Sequence, residues 1–135
     1  MLRVVLDTNV LVSAIISDGK SRELLKKGIA RQYLIVTSDL ILAELVSVLR
    51  RPKFKTSEDE VHRIIIALIR TAAVVSVKTR IKVVKGDPKD DMIIETAVDG
   101  DAEMIVSGDS HLIALKTFGE IKIVTVEEML TCLSR

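Results

Sequence analysis

The chain has 135 residues, 48% of them hydrophobic and 29% charged, the composition of a globular domain and not of a disordered segment. Its single cysteine, Cys132, excludes an intramolecular disulfide and a multi-cysteine zinc site. No apolar run approaches the roughly 20 residues of a membrane span, and Asp7 stands too early for a secretory leader, so one soluble cytoplasmic domain over residues 1–135 is expected.

The elements follow in chain order. Leu2–Leu6 reads as a buried strand, and Asp7-Thr8-Asn9 starts a short helix over Val10–Ile16. Asp18-Gly19 breaks that helix, and Ser21 is expected to cap the next, Arg22–Ile29. Tyr33–Val36 is a second strand, followed by an apolar helix over Leu40–Leu49 that Pro52 cannot extend. Ser57-Glu58-Asp59-Glu60 resembles a capping box and opens a helix through Arg70. Ala73–Val77 is a third strand, and a charged connection over Thr79–Lys89 precedes a helix from about Asp90 to Val98. Met104–Ser107 is a fourth strand, with a short helix after Gly108-Asp109-Ser110. Ile121–Val124 is a fifth, and Val126–Leu133 a closing helix.

Apolar strands alternating with helices predict an α/β fold, a central five-stranded parallel sheet with helices on both faces. Ligands in such sheets gather at the carboxyl ends of the strands, which directs attention to Asp7 and Asp109. Charge is also divided along the chain. The net of +1 combines 16 Lys/Arg against 8 Asp/Glu in residues 1–85 with 4 against 11 in residues 86–135. That suits a nucleic-acid surface and a cation site, or two differently decorated solvent faces.

Three acids stand where an acid is costly. Asp7 follows a buried strand, Asp109 follows another through a glycine, and Glu44 lies on or beside the apolar face of its helix. A fourth comes from Asp87-Pro88-Lys89-Asp90-Asp91, where Asp91 falls in the first helical turn and Glu95 one turn further along. Each has a plainer use. Asp7 and Asp109 fit as N-caps, Glu44 as the partner of a base, and Asp87 and Asp90 as the turn and helix start. Converging carboxylates without cysteine or a histidine pair suit Mg²⁺ or Mn²⁺, which can stabilise charge on a phosphodiester. Thr8, Asn9 and Ser107 lie beside these acids in sequence and offer hydrogen bonds to ligands or metal-bound water.

Together, Leu-Asp-Thr-Asn-Val at 6–10, Ser-Asp-x-x-x-x-Glu-Leu at 38–45, Asp-Pro-x-Asp-Asp at 87–91 and Val-Ser-Gly-Asp at 106–109 resemble the PIN-domain (PilT N-terminus-like) ribonucleases. These include the VapC-type toxins, and the toxin-component branch is the most similar. The resemblance covers nearly the whole chain. It implies a single-domain three-layer sandwich and Mg²⁺ or Mn²⁺ held by an acidic quartet of Asp7, Glu44, Asp91 and Asp109. Thr8 and Ser107 match frequent polar neighbours of the quartet. It further implies hydrolysis of single-stranded or loop RNA and a small antitoxin protein as partner. A homodimer, common among such toxins, is expected through the Ser57–Arg70 helix, where Ile64, Ile65, Ile66, Leu68 and Ile69 are more apolar than one buried face needs; complete burial against its own sheet is the alternative.

Arg50, Arg51, Lys53 and Lys55 cluster in one turn and are candidate RNA-backbone contacts, as are Lys78, Arg80, Lys82 and Lys85; solvated loops are the alternative. His62 and His111 lack a second ligand at metal spacing, although His111 follows Asp109 by two residues. No Gly-x-Ser-x-Gly, Gly-x-Gly-x-x-Gly or Walker A run is present. A receiver-like regulatory domain would need an acidic pair after its first strand and a lysine after its last, and has neither. An idle interaction module or an RNA-processing factor remains the rival reading.

Overall fold

The computed structural model describes residues 1–81 and 88–135. Strand β1 (Arg3–Leu6) leads to helices α1 (Thr8–Ile16) and α2 (Lys20–Ile29), then to β2 (Leu34–Ser38) and α3 (Asp39–Leu49). A 3-10 turn (Pro52–Phe54) precedes α4 (Glu58–Thr71), β3 (Ala73–Val75) and α5 (Pro88–Asp99). The remainder is β4 (Met104–Val106), α6 (Ser110–Leu115), β5 (Thr117–Phe118), β6 (Ile121–Val124) and α7 (Val126–Leu133).

The sheet runs β3-β2-β1-β4-β6-β5. Five strands are parallel, with Val4 opposite Ile35 on one side and Met104 on the other. Val4, Val5 and Leu6 point alternately to opposite faces and are all fully buried, so helices must cover both. Helix α5 packs across β2, β1 and β4. Helix α2 packs on α1, α4 and α7.

Three details differ from the sequence expectation. The sheet has six strands, because Thr117 and Phe118 pair antiparallel with Lys122 and Ile121 around a turn opened by Gly119 at φ +58°. Strand β3 ends at Val75, and beyond it side-chain carboxylates replace the ladder. Lys78 N donates to Asp99 Oδ2 at 2.7 Å, Thr79 N to the same oxygen at 2.9 Å, and Ile81 N to Glu95 Oε2 at 2.8 Å. Helix α2 starts at Lys20 with Gly19 as its cap, ahead of Ser21. Arg22 instead reaches back, donating to Ala14 O at 2.9 Å and Ile15 O at 2.8 Å, the carbonyls that end α1.

Side-chain caps fix several helix starts, among them the expected one at Ser57. Ser38 accepts from Ile41 N and Ser57 from Glu60 N as N-caps, and Thr125 with Glu128 forms a full capping box. Ser38 Oγ also meets Thr96 Oγ1 at 2.8 Å, tying α5 to the carboxyl end of β2. Tyr33 is fully buried and donates to Leu24 O at 2.7 Å. Gly28 lets α2 lie that close, since a Cβ there would come within 2.8 Å of the Tyr33 hydroxyl. Among the described residues, no helix is long and apolar enough to cross a membrane.

Candidate metal centre

Strand order reverses between β1 and β4, the place where open parallel sheets leave a crevice. Asp7 leaves β1 there, and its N–H donates to Val106 O at 3.0 Å. Its Oδ1 caps α1 by accepting from Val10 N at 2.8 Å. Its Oδ2 accepts from the Ser107 hydroxyl, whose oxygen in turn accepts from Asp109 N at 2.9 Å. Asp109 Oδ1 caps α6, accepting from His111 N at 2.9 Å and Leu112 N at 3.2 Å. Both aspartates are therefore caps, and both stand at the crevice. The two readings of each residue coexist.

Asp7 is 4% exposed. Burial pushes its carboxyl above the ordinary carboxylate range, and the charge of Asp109 adds to the rise. Hydrogen bonds from Ser107, Val10 and Asn9 oppose the shift without cancelling it.

Asp7, Thr8, Asn9, Glu44, Asp90 and Asp109 line a cleft of about 110 Å³, with Val48 and Ile93 as apolar walls and Arg51 and Lys89 at its edge. The space suits an ion with a few waters better than an organic cofactor. Lys89 Nζ lies 3.1 Å from Glu44 Oε1. Thr8 Oγ1 is buried and has no hydrogen-bond partner among the described residues. A larger groove of about 840 Å³ opens at the amino ends of β4 and β6, lined by apolar groups such as Leu2, Met104, Phe118 and Ile121. Asp101, Glu103 and Glu120 also line it, but among the described residues they form no group at ligand spacing.

Asp7, Glu44 and Asp109 line the same cleft, with Thr8 and Asn9 beside them, while the ligand atoms lying within 4.8 Å of one another among the described residues come from Asp90, Asp109 and His111. Ser107 stands one layer back and holds Asp7. The fourth carboxylate lining the cleft comes from Asp90, where the sequence pointed to Asp91. Successive helical residues lie about 100° apart, so Asp90 shares the cleft side with Ile93 while Asp91 shares a face with Glu95. Glu95 faces the 78–81 segment, away from the cleft. Asp87, Lys82 and Lys85 lie outside the described residues.

The basic turn is divided. Arg51 reaches the cleft edge. Arg50 is held by Glu58 in a forked pair at 3.1 Å, Lys53 Nζ lies 5.0 Å from the centre of the Phe54 ring, and Lys55 is exposed. Sequence reasoning gave Lys89 no role, though it is the one base among the acids between Asp87 and Asp109.

A mostly parallel sheet with carboxylates gathered at its switch point defines a class of α/β proteins with an acidic crevice at the strand ends. Within that class the PIN-domain profile matches residues 3–111, and the chain belongs to the PIN-domain family. No curated protein matches the sequence. Among solved structures, the chain is similar to VapBC2 from Rickettsia felis, crystallised bound to a DNA fragment from their promoter. The TM-score is 0.63 at 16% identity, covering 92% of this chain and 98% of that one. It is also similar to PAE2754 from Pyrobaculum aerophilum, with a TM-score of 0.66 at 18% identity, covering 98% and 90%. At these identities the likeness is one of fold.

Proposed function

We propose that the protein is a divalent-metal-dependent endoribonuclease and the toxin component of a toxin–antitoxin pair. The observation that carries this reading is the convergence of Asp7, Glu44, Asp90 and Asp109 on one small cleft at the switch point of a PIN-domain sheet. The donor set fits Mg²⁺ or Mn²⁺, because it is rich in carboxylate oxygen and contains no thiol. The Thr8 hydroxyl, with no hydrogen-bond partner among the described residues, is a further oxygen suited to a metal-bound water.

Asp7, Glu44, Asp90 and Asp109 would hold the ion. When bound, such an ion supplies Lewis-acid stabilisation of phosphoryl charge and a more acidic water. Ser107 fixes the rotamer of Asp7, and Asn9 offers a side-chain amide to the substrate or solvent. Arg51 and Lys89 draw the RNA backbone to the cleft, with Lys53 and Lys55 extending the positive track. Asp91 supports the start of α5.

A small antitoxin protein is the proposed partner, a homodimer the proposed state and the cytoplasm the proposed compartment. The likeness in fold to the Rickettsia felis protein supports the antitoxin proposal. The contact between Lys89 and Glu44 favours one second reading, an idle PIN module in which lysine stands in for the ion.

Cleavage of a mixed RNA substrate with Mn²⁺ or with EDTA separates the two. The nuclease cuts only with Mn²⁺ and loses cutting in Asp7→Asn. Wild-type cutting that survives EDTA, or none under either condition, contradicts the proposal.

A further inference from the structure

His111 places an imidazole beside Asp90 and Asp109, two of the carboxylates that line the cleft. It lies in the first turn of α6, with its side chain 69% exposed and Nδ1 3.9 Å from Asp109 Oδ1. One ligand atom from each of Asp90, Asp109 and His111 falls within 4.8 Å of the others. Two ligands of one small ion stand at most about 4.2 Å apart, twice an ion–ligand bond of about 2.1 Å. The three atoms therefore lie at most about 0.6 Å beyond the spacing of ligands on one ion. An ion pair between His111 and Asp109 explains the 3.9 Å separation, but it does not require Asp90 within ligand reach. An independent observation points to an occupant of the same cleft. The Thr8 hydroxyl lines it, buried and with no partner among the described residues.

Oxygen ligands alone separate Mg²⁺ from Mn²⁺ poorly. An imidazole changes the balance, because nitrogen donors favour first-row transition ions and Mg²⁺ gives up its water reluctantly. We infer that His111, with Asp90 and Asp109, forms a mixed nitrogen–oxygen site that selects Mn²⁺ and Co²⁺ over Mg²⁺. The inference rests on the metal-centre reading of the cleft and adds the residue that sets its preference.

The test is calorimetric titration of the chelator-stripped protein with Mn²⁺, Co²⁺ and Mg²⁺ separately, together with the visible absorption of the Co²⁺ complex. His111→Ala is expected to weaken Mn²⁺ and Co²⁺ by about tenfold, to leave Mg²⁺ within about twofold, and to shift the Co²⁺ band. His111 is exposed, so the variant should keep the wild-type circular dichroism. An equal loss for all three ions, or no loss with an unchanged Co²⁺ spectrum, overturns the inference and leaves the metal centre standing. A wild-type protein that binds none of the three overturns both.

Discussion

Burial makes the folded protein hold a proton on Asp7 more tightly than the unfolded chain does. The folded state therefore binds more protons between the ordinary carboxylate pKa and the raised one. Stability falls as pH rises through that window and is flat above it. Asp7→Asn removes this dependence. Its Oδ1 still caps α1, whereas Ser107 loses the carboxylate oxygen to which its hydroxyl donates. The variant is expected to melt higher than wild type at neutral pH, with the gain shrinking as pH falls from the raised value to the ordinary carboxylate range. Thermal scans by circular dichroism across that range check this, and a gain that grows towards acid contradicts the burial argument. At this scale Asp7 and Asp109 were legible because strand ends announce themselves in sequence. The choice between Asp90 and Asp91 was not legible. Both occupy one helical turn, and the rotation of α5 is set by its packing on β2, β1 and β4.

The hairpin of β5 and β6 depends on a left-handed backbone at Gly119, with no neighbouring atom within 4 Å of an added Cβ. Gly119→Ala should therefore cost about 1 kcal/mol through strain alone. Urea denaturation reads that loss, and metal binding at the far end of the sheet should not change. This hairpin escaped the sequence reading because two residues cannot display alternation, whereas the five parallel strands each carry an apolar run. The end of β3 was hidden for a related reason, since Asp99 and Glu95 lie far along the chain from the N–H groups they capture. The basic turn before α4 makes a separate test. Arg51 faces the cleft and Arg50 is forked onto Glu58, so they should differ in RNA binding. Arg51→Ala should flatten the dependence of log affinity on log salt by about one unit, and Arg50→Ala by less. An unchanged slope in Arg51→Ala moves the RNA track elsewhere.

At the scale of the whole molecule, one end of the sheet gathers acids while α4 leaves apolar surface outside. Ile69 is 47% exposed, Val74 on the edge strand β3 is 43% exposed, and Ile65 and Ile66, one turn before Ile69, are half-buried. That face is the proposed dimer contact. Light scattering over the micromolar range should show a dimer that Ile69→Asp converts to a monomer, and a monomeric wild type contradicts it. The central claim is that the cleft at the switch point binds a divalent ion through Asp7, Glu44, Asp90 and Asp109. Calorimetric titration with Mn²⁺ tests it most directly, on wild type, Asp90→Asn and Asp91→Asn. The account predicts one saturable site in wild type, weakened about tenfold or more in Asp90→Asn and retained in Asp91→Asn. No binding by wild type, or equal losses in the two variants, contradicts it.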